Sequence, residues 1–235
     1  MLDLNGKIVL VTGATGGLGS ATTQVFSTAN AKLILTGRNP EKLALLAQTL
    51  PQNTVTQACD LCDPQQVQQL VQQAVNEFGR IDVLLNIAGG FSMGPLVHEL
   101  SKDDFNRMFE MNFMSTLNTC KATVPIMLTQ GSGKIVNVSA RAATEGKAKM
   151  APYCISKSAV VTLTECLAAE HKQNNLNINC ILPGTIDTDT NRQDMPNADH
   201  ATWVPPEDIA NMMLFLSSDH ASSINGAIIP VYGKS

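Results

Sequence analysis

At 235 residues, with 44% hydrophobic and 15% charged residues, the chain has enough apolar side chains for a buried core, and its length favours one domain over two. Its formal charge of -4 and 4% aromatics argue against a nucleic-acid reader, leaving phosphate binding to one local cationic pocket. No apolar run nears the roughly 18 residues of a membrane span, and residues 1–7 lack the basic, apolar and cleavage segments of a secretory signal, so cytoplasmic residence is expected.

In chain order, 7–12 is a compact Ile/Val/Leu run that stops at Gly13-Ala-Thr-Gly-Gly-Leu-Gly19, a buried strand entering a tight turn. Leu18, Ala21, Val25, Phe26 and Ala29 recur at three- and four-residue steps, which predicts a helix over 18–30. A strand over 32–36, a helix over 40–50 opened by Pro40, and a strand over 54–58 follow. Then come a helix over 64–78, a strand over 81–86 and a long helix over 102–130 that should bend near Pro125. The series closes with a strand over 133–138, a helix over 151–172, a strand over 176–182, a helix over 206–217 and a strand over 227–231. Such alternation predicts an α/β fold: a doubly wound, mostly parallel sheet of about seven strands with helices on both faces. Ligands then gather beyond the carboxyl ends of the strands, where Gly13, Arg38, Asp60, Asn86, Ser139 and Pro183 stand. Residues 88–101, 140–150 and 184–206 are expected to be irregular loops around that crevice.

The turn Thr12-Gly-Ala-Thr-Gly-Gly-Leu-Gly19 follows a strand and opens a helix, the Rossmann-type setting for a dinucleotide pyrophosphate. Glycine lets backbone approach the phosphates, and the helix start offers N–H groups and a positive dipole end, so Gly13, Thr15, Gly16, Gly17, Leu18 and Gly19 are cofactor-binding candidates. The second strand ends in Thr36-Gly-Arg-Asn39, with no acid to hold a ribose 2′-hydroxyl. Arg38 suits a 2′-phosphate instead, so NADP(H) is the preferred cofactor, with NAD(H) possible.

Tyr153-Cys-Ile-Ser-Lys157 sets a phenol and an ammonium four residues apart, on one face of a helix. The positive charge is expected to favour the phenolate and lower the tyrosine pKa, making Tyr153 a proton-transfer group beside Lys157. With TGATGGLG (12–19), Asp60, NIAG (86–89), Asn112 in the long helix, YCISK (153–157) and PGTIDT (183–188) in this order, the chain resembles the short-chain dehydrogenase/reductase family over essentially its whole length. The resemblance implies that Asn112, Tyr153 and Lys157 are catalytic, and that Asp60 and Leu61 lie by the adenine. It further places Asn86, Ala88 and Gly89 by the adenosine ribose, and Pro183, Gly184, Ile186 and Thr188 by the nicotinamide. It also implies a homodimer or homotetramer paired through the helices 102–130 and 151–172, acting on a small molecule rather than on nucleic acid or membrane.

One position departs from the family. Its serine thirteen residues before the tyrosine is Ala140 here, with Ser139 just upstream. Either Ser139 replaces it, for a carbonyl reductase such as a 3-oxoacyl reductase or for an alcohol dehydrogenase, or the substrate needs no such hydroxyl. The second reading gains from a narrower likeness of Ala88-Gly-Gly-Phe91, Ser139-Ala-Arg-Ala-Ala143 and residues 182–203, including Asp187, Asn191-Arg192, Met195-Pro196 and Trp203, to dihydropteridine reductase. That likeness implies hydride transfer to a quinonoid dihydropterin, although those reductases carry an acid where this chain has Gly37-Arg38. A protein that only binds NADPH would not need Tyr153, Lys157 and Asn112 together.

Other residues are read as structural. Cys59-Asp-Leu-Cys62 has no second ligand pair for zinc, and the six cysteines are read as reduced thiols. His98, His171, His200 and His220 never fall in ligand spacing, so no metal is expected, and Met108, Met111 and Met114 are read as helix packing. Trp203 suits either a stacking surface for a flat substrate or an anchor for its loop.

Overall fold

Seven strands form one sheet in the computed structural model, which describes residues 2–51 and 54–234. They are β1 (Ile8–Thr12), β2 (Lys32–Gly37), β3 (Thr54–Ala58), β4 (Val83–Asn86), β5 (Gly133–Val138), β6 (Leu176–Pro183) and β7 (Ile228–Val231). Their order is β3-β2-β1-β4-β5-β6-β7, and every neighbouring pair is parallel. Parallel neighbours need crossovers, supplied by α1 (Gly17–Thr28), α2 (Pro40–Gln48), α3 (Pro64–Phe78), α4 (Lys102–Phe109), α5 (Ser115–Gln130), α6 (Ala151–His171), α7 (Asp189–Asp194) and α8 (Pro206–Ser217). The winding reverses between β1 and β4, and a crevice opens there at the carboxyl ends.

The two faces follow from strand alternation. Val9, Val11, Leu33, Leu35 and Val136 pack with Phe26 of α1 and Met213 of α8, while Leu10, Ile34, Leu84 and Ile135 pack with Leu70 of α3 and Met127 of α5. Helix boundaries have local causes as well. Asp63 accepts hydrogen bonds from the Gln65 and Gln66 N–H groups ahead of Pro64, and α3 stops at Gly79 in the left-handed region (φ 77°).

The structure corrects the long helix read over 102–130. A π turn over Glu110–Met114 separates α4 from α5, with the Ser115 N–H bonded five residues back to the Glu110 carbonyl. Pro125 lies inside α5 without ending it. The side-chain pattern runs through both helices, so the wide turn leaves no break in periodicity to read. The stretches expected to be irregular also hold structure: α7, and 3-10 turns at Val97–Glu99, Arg141–Ala143 and His200–Thr202. These elements are too short to show a period. No helix among the described residues is long and apolar enough to cross a membrane.

A polar web crosses the middle of the sheet. Asn86 donates to Asn137 Oδ1 (2.9 Å) and accepts from Thr119 Oγ1 (2.7 Å), while Asn137 donates to Thr164 Oγ1 (2.9 Å). All four residues are buried, so each bond satisfies a group that water cannot reach. Asn137→Ala is therefore expected to lower unfolding free energy by about 1–3 kcal/mol, the cost of an unsatisfied buried polar group, measured by urea denaturation.

Candidate active site

A cleft of about 1550 Å³ runs along the carboxyl ends of β1, β2, β4, β5 and β6. It gathers most residues singled out from the sequence: Gly13, Thr15, Gly16, Gly17, Leu18, Gly19, Arg38, Asp60, Leu61, Ala88, Gly89, Ser139, Tyr153, Lys157, Pro183, Gly184 and Ile186 all line it. Three candidates lie outside this lining. Asn86 faces the buried web, 2% exposed, because its side chain points into the sheet interior rather than along the strand end. Thr188 packs its methyl group over Gly17 and caps α7 by accepting from Asn191 N (3.2 Å).

Asn112 is the third, fully buried in the π turn. Its Oδ1 accepts from Gly90 N (2.9 Å), and its Nδ2 donates to Ser156 Oγ (3.2 Å), which donates to the Tyr153 carbonyl (2.8 Å). Asn112 thus ties the loop after β4 to the first turn of α6.

The glycine turn is built for close approach. Gly13 has φ +65°, and a methyl group there would stand 2.8 Å from the Ala88 Cα. Thr12 Oγ1 holds the facing turn by accepting from the Ile87 and Ala88 N–H groups (3.0 and 3.2 Å). No side chain caps α1 at Gly16, so its first-turn N–H groups face the cleft as an anion site. On the other side, a methyl group on Gly89 would stand 2.7 Å from Asn112 Oδ1 and 3.1 Å from Lys157 Nζ. These cradles and the uncapped helix fit a dinucleotide. Beyond Thr15, a side pocket of about 610 Å³ is lined by Arg38, Asn39, Glu41 and Lys42. Asp60 accepts from Cys62 N (3.0 Å), and Leu61 offers its carbonyl to Asn118 (2.9 Å).

At the other end, α6 carries Tyr153 and Lys157 one turn apart. Lys157 Nζ donates to the Val138 carbonyl (3.0 Å), and Ser139 Oγ donates to the Lys157 carbonyl (2.7 Å). Ala140 is buried with Ala142 and Cys154 beside the Tyr153 ring and adds no hydroxyl to the cleft. The Tyr153 hydroxyl has no hydrogen-bond partner among the described residues. Burial, aided by the Cys154 thiol, pushes its pKa up to about 12. This differs from the expectation that Lys157 lowers it. Burial itself holds Lys157 down to about 8, partly offset by the Cys180 thiol, and its ammonium is turned to Val138. At neutral pH Tyr153 is therefore a phenol carrying a proton, not a phenolate.

Phe91, Met93, Met111, Met150 and Met195 complete the cleft wall; all but Met111, read as helix packing, lie in the loops expected around the crevice, and none was assigned a part in the chemistry. Phe91 stands directly after the glycine pair of the NIAGG turn, the one local signal that could have placed it there. Trp203 resolves as an anchor: it is 8% exposed and packs on His200 at 4.4 Å. The six cysteines are unpaired, and no three His, Cys, Asp or Glu side chains among the described residues group to hold a metal.

Fold and cleft together define an NAD(P)-dependent oxidoreductase. The chain belongs to the short chain dehydrogenase family, whose model matches residues 7–199. It is 31% identical to the 3-oxoacyl-[acyl-carrier-protein] reductase FabG of Thermotoga maritima, covering 99% of this chain and 98% of that protein. It is 34% identical to D-threitol dehydrogenase of Mycolicibacterium smegmatis, covering 98% and 93%. The solved structure of gox2181, 24% identical, shares the fold with a TM-score of 0.93 over 98% of this chain and 96% of that one. The narrower likeness to dihydropteridine reductase rests on the short segments 88–91, 139–143 and 182–203, whereas over nearly its full length the chain matches a 3-oxoacyl reductase and a sugar-alcohol dehydrogenase.

Lys157 yields a stability test. Its folded pKa of about 8 lies below the ordinary 10.5, so below pH 8 both folded and unfolded chains hold the proton and the full cost of burying the ammonium falls on the folded state. Between 8 and 10.5 only the unfolded chain binds it, and stability rises with pH. Lys157→Met is expected to stabilise the protein without cofactor by up to roughly 3 kcal/mol at neutral pH, with the gain shrinking as pH rises through this window. Thermal denaturation of both proteins across that range measures it.

Proposed function

We propose that the protein is an NADPH-dependent reductase of a small, electron-poor conjugated substrate, with Tyr153 as the proton donor. The observation that carries this reading is the Tyr153 hydroxyl on the cleft wall, with no hydrogen-bond partner among the described residues, beside Ala140 and the buried Lys157. NADPH, when bound, supplies a hydride to an electrophilic carbon of the substrate. Tyr153 gives its proton to the atom that gains the electron pair, which leaves the product neutral. Lys157 holds the ribose and supplies positive charge as the phenol loses its proton, a charge worth more in a dry site than in water. Asn112 acts from behind the wall by fixing the Gly90 loop against α6.

Ser139 commits its hydroxyl to the Lys157 carbonyl, and residue 140 has none, so neither position offers a hydroxyl to a developing alkoxide. A ring such as a quinonoid dihydropterin spreads the added charge over conjugated atoms and needs no such donor. A carbonyl reductase is the second reading, supported by the similarity to a 3-oxoacyl reductase and D-threitol dehydrogenase. It requires Ser139 to turn from Lys157 toward the substrate. Arg38 and Lys42 beside Thr15 support NADPH over NADH, since both cations suit a 2′-phosphate. A homodimer or homotetramer remains our reading of the assembly, with light scattering as its measurement.

Following NADPH absorbance against quinonoid dihydropterin, 3-oxoacyl thioesters and small quinones tests the substrate class. Tyr153→Phe should cut turnover by about 10² to 10⁴ with cofactor affinity held, and undiminished turnover would require another proton donor. Ala140→Ser separates the two readings: improved ketone reduction supports the carbonyl substrate, and no gain with continued pterin turnover supports the ring. Arg38→Ala should raise the KM for NADPH by about tenfold, the size of a lost charge-assisted hydrogen bond, and leave that for NADH nearly unchanged.

A further inference from the structure

A proton donor works only if its O–H bond points at the atom it serves; a phenol O–H lies close to the ring plane, and the torsion that turns that plane is soft. Here no hydroxyl at 140 or 139 reaches toward the phenol, and its oxygen has no partner among the described residues. The ring must be aimed by packing. Tyr153 packs against Ala140, Ala142 and Cys154, small groups that give room without direction, in a cluster that also takes in the flexible Met150. Phe91 meets the Tyr153 ring at 5.0 Å between centroids with the planes at 85°, the edge-to-face geometry that ring quadrupoles favour.

Phe91 is presented by a loop fixed without help from Tyr153. The Gly90 N–H donates to Asn112 Oδ1 (2.9 Å), the Met111 sulfur seats against Gly90, and the Gly94 N–H donates to the Lys149 carbonyl (2.9 Å), two residues before α6 begins. Phe91 is 55% exposed to the cleft, so burial is not its main contribution to the fold. We infer that Phe91 is a positioning residue: its ring, held by the pinned 90–94 loop, sets the orientation of the Tyr153 phenol that a hydroxyl at position 140 would otherwise set. This rests on the proton-donor role of Tyr153. Because Phe91 acts on orientation alone, its loss falls on kcat and spares cofactor binding.

The chain has two tyrosines, so a Tyr232→Phe background leaves Tyr153 as the only tyrosinate chromophore. In that background, alkaline absorbance titration of the protein without cofactor is compared for Phe91 and Phe91→Leu. Steady-state kinetics with NADPH and the most rapidly reduced compound of the panel above are run on Phe91→Leu, Phe91→Trp, the double variant Phe91→Leu/Ala140→Ser, and Tyr153→Phe. Phe91→Leu is expected to lower kcat by about 3- to 10-fold, the worth of one aromatic pair, with the NADPH Kd from fluorescence titration unchanged within about twofold. Its Tyr153 should ionise closer to 10 than to about 12 as water reaches the ring. Phe91→Trp should retain kcat, and Ala140→Ser should restore it to the leucine variant. Unchanged kcat and titration in Phe91→Leu overturn the inference, as does a loss that neither tryptophan nor the serine repairs. Full turnover by Tyr153→Phe overturns the proton-donor reading instead, and an inactive Tyr153→Phe beside an unaffected Phe91→Leu sinks the positioning role alone.

Discussion

Helix α6 is stitched to β5 by reciprocal hydrogen bonds: Lys157 Nζ to the Val138 carbonyl, Ser139 Oγ to the Lys157 carbonyl, and Asn137 Nδ2 to Thr164 Oγ1. The placement of the site rests on this seam. A helix packed on a sheet by apolar contacts alone can slide by a fraction of a turn at small cost, whereas buried polar partners fix its register because each unmet group is expensive. With α6 fixed, Tyr153 reaches the cleft at the carboxyl end of β5, and Asn112 can bind both the Gly90 loop and Ser156. The π turn that carries Asn112 belongs to the same system, since its extra residue turns the carboxamide inward between α4 and α5.

That seam also sets the electrostatics. Packing α6 against β5 removes water from both Lys157 and Tyr153, which moves their proton affinities in opposite directions from their ordinary values. In both cases the dry environment favours the uncharged form, the phenol of Tyr153 and the free amine of Lys157. A bound anionic cofactor changes that balance in favour of the ammonium, so the stability lost by burying Lys157 is offset when the cleft is filled. The same reasoning explains why Ser139 cannot be moved freely into the substrate space: its hydroxyl satisfies a buried carbonyl.

Around Tyr153 the cleft wall carries the apolar and sulfur side chains of Phe91, Met93, Met150 and Met195, and two of its lining cations, Arg141 and Lys147, pair with Glu145. Flexible methionines adapt to different outlines, so the wall does not define one shape closely. The 187–203 segment is ordered by its own bonds, Asp187 to Arg192, Asn191 to the Ile186 carbonyl and Trp203 on His200, and so stands as a formed rim. The family supplies the fold and the dinucleotide chemistry. In the proposed reading, substrate choice lies in these loops and in the alanine at 140.

The order of strands and helices, the parallel sheet, the glycine turn and the Tyr153–Lys157 spacing were legible in the chain because each is a local pattern: a period, a turn residue, one helical turn of separation. The π turn was not, since it changes hydrogen-bond partners while leaving the apolar pattern intact. Asn86 was placed at a strand end by its position, but which way its side chain faces depends on the partners Asn137 and Thr119, which arrive from distant parts of the chain. The proton affinity expected for Tyr153 counted the nearby charge and not the water that packing removes. Sequence by itself determined the kind of fold and the residues available for chemistry. Only the tertiary structure decided which of them reach the cleft, which brace it from behind, and that the Ser139 hydroxyl is turned away, because desolvation and long-range hydrogen bonding exist only once the chain has folded.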